Sequence, residues 1–178
     1  GCPIASPSAN KFGRLSPTDS EHVKKQLSEV DYILEGGRTT VGIESTIITL
    51  DETGFKLLRY GVITEGDIKK IIPASTLSIR KNNKSNITPG SLKSHYSPSK
   101  PMYIQEGLKL PHSLEKDRAG IMAFSDKYAE GYKMVVRPSK NFSLREYAAN
   151  MFYCLHKLEE SDIDFIVVEK IPERGIGK

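Results

Sequence analysis

A chain of 178 residues, 38% hydrophobic and 27% charged, has enough apolar content for a core, which excludes an intrinsically disordered tail. Its formal charge of +4 comes from 26 Lys and Arg against 22 acids spread along the sequence, with no basic block that would mark a nucleic-acid arm. RNA contact stays open, but charge does not argue for it. No apolar run approaches the roughly 18 residues of a membrane span, and no signal peptide is legible. Cys2 and Cys154 are the only cysteines and match neither a zinc spacing nor a disulfide framework. The expected setting is therefore cytoplasmic and reducing, without a membrane partner.

In chain order, Gly1 to Pro7 reads as the tail of a buried strand entering a polar loop, Ser8-Ala-Asn-Lys-Phe-Gly-Arg-Leu-Ser-Pro-Thr18. The loop gathers three hydroxyls, an amide and an Arg, with Gly13 for a tight turn and Pro17 for rigidity. Thr18-x-x-Glu21 reads as a capping box opening a helix over Thr18 to Glu29, with Val23 and Leu27 on one face. A donor-rich loop beside a helix N-terminus suits a phosphate; a polar loop with a good cap has the same sequence, and local chemistry leaves both readings open. Asp31 to Leu34 reads as a short strand closed by Gly36-Gly37. The β-branched run inside Thr39 to Leu50 reads as another. Asp51-Glu-Thr-Gly54 is a hairpin turn returning Phe55 to Arg59 as the partner strand. Gly61 breaks that strand, and Thr64-x-x-Asp67 caps a helix ending near Ile72.

From Pro73 to Lys100 the periodicity dissolves, and the polar run Arg80 to Asn86 marks a mobile connection. After Pro101 an α/β rhythm begins. Met102 to Ile104, Ala119 to Phe124, Lys133 to Val136 and Asp162 to Val168 read as strands. Ser143-x-x-Glu146 caps the clearest helix, whose Leu144, Ala148, Met151, Phe152, Leu155 and Leu158 recur at helical spacing and form a core face. Strand–helix–strand order predicts a small parallel sheet. No G-x-G-x-x-G follows a strand there. His22, His112 and His156 have no partner spacing and receive no role.

Ser8-Ala-Asn10, Gly13-Arg14 and Ser16-Pro-Thr18, followed in order by Val41-Gly-Ile-Glu-Ser-Thr46, Leu58-Arg59 and Gly61, resemble the signature of YrdC-like domains. Thr88-Pro-Gly90 with His95-Tyr96 and Pro98 is similar to the interdomain linker of the two-domain threonylcarbamoyl-AMP synthases. Pro172 to Gly177 is similar to the end of their Rossmann-like domain. The resemblance runs over essentially the whole chain. It implies an α/β protein made of the C-terminal part of a YrdC-like twisted-sheet domain (1–75), a long linker (76–101) and a small Rossmann-like parallel α/β domain (102–178).

The implied reaction joins L-threonine, bicarbonate and ATP into threonylcarbamoyl-AMP with release of pyrophosphate, for the tRNA threonylcarbamoyl-transfer machinery. ATP is a substrate and Mg²⁺ shares its phosphate charge. Carried over residue by residue, Ser8, Ser16, Arg59, Tyr96 and His95 hold the nucleotide, with Asn10 supporting the loop, and Arg59 is the catalytic charge. Ser6 and Ser45 lie near threonine. No protein-held metal set is implied.

Each residue also has a plain structural reading: turn hydroxyls for Ser8 and Ser16, backbone satisfaction for Ser45, a solvated strand-end charge for Arg59, a linker anchor for His95-Tyr96. Phe12, Tyr60 and Ser97 depart from the family's usual Ser, Pro and Ala. The family's basic Lys-Arg-Pro-type segment would precede Gly1, so the chain reads as a fragment at that end, and the C-terminus reads as cut too. Two other readings remain: a non-catalytic RNA- or partner-binding module, and the YrdC-like part of a hydrogenase-maturation carbamoyltransferase. The linker and the second α/β unit oppose the last of these.

Overall fold

A computed structural model describes residues 1–4, 6–51, 54–71, 96–105 and 115–177. The connection around Arg80 to Asn86, His95 and His112 lie outside these residues.

The hairpin forms where the sequence places it. Strand β1 (Ile47–Asp51) pairs antiparallel with β2 (Gly54–Arg59), in the register Ile48↔Leu57 and Leu50↔Phe55. Gly54 takes a φ of 131°, which glycine tolerates. A short helix (Glu65–Ile71) follows, opened by reciprocal bonds between Thr64 and Asp67: Thr64 Oγ1 donates to Asp67 Oδ2 at 2.7 Å, and Asp67 N donates back to Thr64 Oγ1 at 3.3 Å.

Further along the chain, β3 (Met102–Gln105), β4 (Ala119–Met122), β5 (Met134–Val136) and β6 (Phe165–Glu169) build a parallel sheet in the order β3-β6-β4-β5. The connection from β5 to β6 is the long helix Leu144–Glu160. Its N-cap is Ser143, as the motif predicts, with Ser143 Oγ accepting from Glu146 N. The return arm runs through a third residue, because Glu146 Oε2 accepts from Ser139 Oγ, which in turn accepts from Ser143 N. Phe152, Leu155 and Leu158 pack on Met122, Val136 and Ile166 of the sheet, and Leu15 from the N-terminal loop joins the same core at 1% exposure. Ala119, Ile121, Phe165 and Val167 line the other face under Tyr132. Burying continuous apolar strands on both faces is what a parallel sheet requires. No helix among the described residues is long and apolar enough to cross a membrane.

Three expectations fail. The first helix is Ser20–Gln26, not Thr18 to Glu29, and its N-cap is Asp19, whose carboxylate accepts from His22 N. Thr18 is buried and bonded to His22 Nδ1 instead, while Glu21 pairs with Lys24, so no capping box forms. The described residues of Gly1 to Pro7 and of Asp31 to Leu34 form no strand, and Ile4, Tyr32 and Leu34 are exposed. A strand exists only through a neighbour that satisfies its backbone, and the described residues give these segments no ladder. Gly37 takes a φ of 75°, and its N–H donates to Glu35 Oε1 at 2.8 Å.

Numbered in chain order, the α-helices among the described residues are α1 (Ser20–Gln26), α2 (Glu65–Ile71) and α3 (Leu144–Glu160).

Candidate functional site

The end of β2 and the loop before β1 come together at one point. Arg59 closes β2 opposite Ile47, so its side chain reaches the Glu44-Ser45-Thr46 turn that precedes β1. Arg59 Nε donates to the Ser45 carbonyl at 2.8 Å, and one terminal nitrogen donates to Ser45 Oγ at 2.8 Å. The other donates to the Tyr96 hydroxyl at 3.0 Å. Glu44 Oε2 lies 3.7 Å from the guanidinium, and Glu44 Oε1 accepts from Ser16 Oγ at 2.6 Å. Five residues from four separate stretches of the chain thus form one connected network around a carboxylate and a guanidinium, with side chains only 22% and 15% exposed.

Local structure holds each contributor. Asn10 Nδ2 donates to the Lys11 and Arg14 carbonyls, and Gly13 turns the loop at φ 79°. Gln26 of α1 grips the loop twice, accepting from Lys11 N and donating to the Leu15 carbonyl. Tyr96 sits in the left-handed region at φ 58°, sparsely populated for a non-glycine residue. It is fixed there between Arg59 and an edge-on contact with Phe152 of α3, and Ser97 N donates to the Gly13 carbonyl at 3.0 Å. The last residues of the connection therefore run beside the polar loop. Burial, reinforced by Glu44, raises the Tyr96 phenol above its ordinary value, so it remains a neutral acceptor for Arg59.

Gly61 makes the close approach possible. A Cβ there would stand 2.3 Å from Thr46 N and 2.6 Å from the Glu44 carbonyl oxygen. We expect Gly61→Ala to push the Glu44–Thr46 turn away from Arg59 and to destabilise the fold by about 1–3 kcal/mol. Urea unfolding measures this, and a variant with unchanged midpoint and activity would show that the turn yields freely.

Of the residues singled out in the sequence, Ser16, Ser45, Arg59 and Tyr96 meet, while Asn10 braces the loop beside them. Ser6 and Ser8 are exposed and take no part in the network among the described residues. His95 lies outside those residues. Phe12 and Tyr60 are both exposed, and Tyr60 borders a cavity of about 320 Å³ shared by Glu44, Arg59, Tyr96 and α3. Glu44 is the residue that sequence reasoning passes over. Its signal is its place beside Ser45 inside the run Val41-Gly-Ile-Glu-Ser-Thr46.

The site's chemistry is that of anion recognition. A guanidinium fork ringed by hydroxyls suits phosphate or carboxylate oxygens. Among the described residues, His22, His156 and Glu160 bring ligand atoms within 4.8 Å of one another. Their imidazoles are stacked at 3.7 Å with planes 15° apart, so the in-plane lone pairs run side by side rather than converging on one ion. In the parallel sheet, Glu169 accepts from Phe124 N at 2.7 Å and Ser125 N at 2.8 Å. The amides after β4 are thus filled by the chain's own carboxylate.

A family model described as "Threonylcarbamoyl-AMP synthase, C-terminal domain" matches residues 63–178, and one described as "Telomere recombination" matches residues 1–61. The chain is 33% identical over 190 residues to the threonylcarbamoyl-AMP synthase of Bacillus subtilis (strain 168), covering 99% of this chain and 54% of that protein. It is also 33% identical over 190 residues to that of Pyrococcus abyssi (strain GE5 / Orsay), covering 98% and 54%. The crystal structure of P. abyssi Sua5 complexed with L-threonine matches with a TM-score of 0.77 at 29% identity, covering 96% of this chain and 53% of that one. The chain thus spans about half the length of the curated relatives it matches.

Proposed function

The chain belongs to the threonylcarbamoyl-AMP synthase family, and from that premise we propose that it carries one wall of a synthase site joining L-threonine, bicarbonate and ATP into threonylcarbamoyl-AMP. The observation that carries the proposal is the convergence of Ser16, Ser45, Arg59 and Tyr96 on Glu44. These residues come from both halves of the chain, and together they present a buried-edge cation with hydroxyls. The L-threonine complex of P. abyssi Sua5 agrees with threonine as a substrate.

In this reading the threonine amine and bicarbonate form a carbamate with loss of water. A carbamate oxygen then attacks the α-phosphorus of ATP, the bond from that phosphorus to the bridging oxygen breaks, and pyrophosphate leaves. Arg59 neutralises charge that grows on the phosphate oxygens. Ser8 and Ser16 bond the nucleotide, and Asn10 keeps their loop in shape. Tyr96, with His95, closes the connection over the nucleotide, while Ser6 and Ser45 face threonine. The organisation is a catalytic part (1–75), a linker (76–101) and a Rossmann-like part (102–178), working in the cytoplasm and supplying the tRNA threonylcarbamoyl-transfer machinery.

A protein-held magnesium site does not fit the described residues around Arg59. Glu44 is the carboxylate at this point, and its oxygens already face Ser16 Oγ and Arg59. Magnesium binds such sites through several oxygens, so its natural ligands here are the phosphates of ATP.

Pyrophosphate release by the full-length protein tests the proposal. The expected result is release that requires threonine and bicarbonate together. Release from ATP alone, unaffected by either, would remove it.

A further inference from the structure

Two histidines with no sequence pattern between them grip the loop at Ser16-Pro17-Thr18. His22 Nδ1, on α1, accepts from Thr18 N at 3.2 Å, and Thr18 Oγ1 lies 3.1 Å from the same nitrogen. His156 Nε2, on α3, donates to the Ser16 carbonyl at 3.1 Å. The imidazoles stack with centroids 3.7 Å apart, and both residues are buried.

The partners fix the tautomers. A carbonyl only accepts, so His156 carries its proton on Nε2; an amide N–H only donates, so His22 Nδ1 is bare. Pro17 between them has no N–H and a fixed φ. The clamp therefore takes the backbone groups on either side of a rigid link.

The grip reaches the site in two steps. Ser16, held by its carbonyl, donates its hydroxyl to Glu44, and Glu44 faces Arg59. We propose that His156 is a positioning residue for the nucleotide loop, transmitting the hold of α3 onto Ser16, with His22 completing the clamp at Thr18. The inference rests on the synthase reading above and gives the C-terminal sheet unit a task in it. The sheet fixes α3, and α3 fixes the loop.

The clamp is sensitive to protons. From α1, Asp19 Oδ1 stands 3.4 Å from His22 Nδ1, and Lys25 pairs with Glu160 of α3 at 2.6 Å. Tyr153 of α3 lies 6.0 Å from His22, with Arg38 at 3.6 Å and Lys157 at 4.8 Å from its ring centre. Burial and then His156 lower the His22 pKa, against the opposing pull of Asp19 and Glu160. A histidine whose folded value is depressed contributes fully above the ordinary 6.5 and loses its contribution as pH falls below it. Protonated Nδ1 no longer accepts from Thr18.

The test uses the full-length protein with His156→Phe, which keeps the stack and removes the donor, and His156→Gln, which restores an N–H. Steady-state kinetics with ATP are measured from about pH 5.5 to 8, beside hydrogen exchange of the Gly13–Thr18 segment. The expected result for His156→Phe is a KM for ATP raised about tenfold, more than kcat falls, with faster exchange of the loop. His156→Gln recovers most of the loss, and the wild-type loop exchanges faster, relative to intrinsic rates, below about pH 6.5. An unchanged KM for ATP in His156→Phe, or equal damage in both variants, overturns the proposal. Wild-type protein that makes no pyrophosphate with threonine and bicarbonate contradicts the synthase reading itself. Exchange alone then decides the clamp: faster in His156→Phe supports it, unchanged overturns it.

Discussion

Arg59→Ala is expected to lower kcat/KM for ATP by about two to three orders of magnitude, the usual consequence of removing a preorganised charge from a developing oxyanion. The reason lies in how Arg59 is held. Ser45 takes two of its donors, Tyr96 takes a third, and Glu44 stands opposite, so the guanidinium is oriented before any ligand arrives. Preorganisation of this kind removes the reorganisation cost at the moment of reaction. Arg59→Lys should recover little, because an ammonium keeps the charge without the planar fork that reaches Ser45 and Tyr96 at once. Steady-state kinetics and direct ATP binding check this. Wild-type affinity and turnover in Arg59→Ala would mean that the phosphate role is wrong.

Glu44→Ala should be nearly as damaging, by a different route. It leaves the hydroxyl of buried Ser16 without the acceptor at 2.6 Å and removes the carboxylate opposite Arg59. Leaving a buried donor unpaired costs about 1–3 kcal/mol. The expected outcome is lower stability of that order and activity reduced roughly 10- to 100-fold, since Ser16 and Arg59 lose their register together. Glu44→Gln keeps an acceptor for Ser16 and should retain most of the stability while losing part of the activity. Urea unfolding and turnover, measured on both variants, separate the two effects. A Glu44→Ala protein as stable and active as wild type would show that the two residues are held independently of it.

What the sequence makes legible is local and periodic. The hairpin follows from β-branched residues around a glycine turn. The long helix follows from Ser143 and its apolar spacing, and the parallel sheet from strand–helix–strand order. Capping was less legible, because Thr18 and Asp19 are adjacent and both suit an N-cap. Burial decides between them, since Thr18 finds His22 and Asp19 is left to cap α1. The predicted strands at Gly1 to Pro7 and Asp31 to Leu34 have the composition of strands but no ladder among the described residues.

At the site, the hydroxyls and Arg59 stood out through motif resemblance. Glu44 lies within one of those motifs without a role of its own, and His156 lies in none. Ser16 meets Glu44 across 28 positions and His156 across 140, and no periodicity in either segment encodes such contacts. They arise only when Leu15 seats the loop in the core beside α3.

The most direct measurement is mass spectrometry of the product made by the full-length protein from ATP, L-threonine and ¹³C-bicarbonate. Threonylcarbamoyl-AMP that carries the heavy carbon in its carbamoyl group is the expected product, formed one for one with pyrophosphate. Unlabelled threonyl adenylate, or AMP with no carbamoyl product, would contradict the synthase assignment.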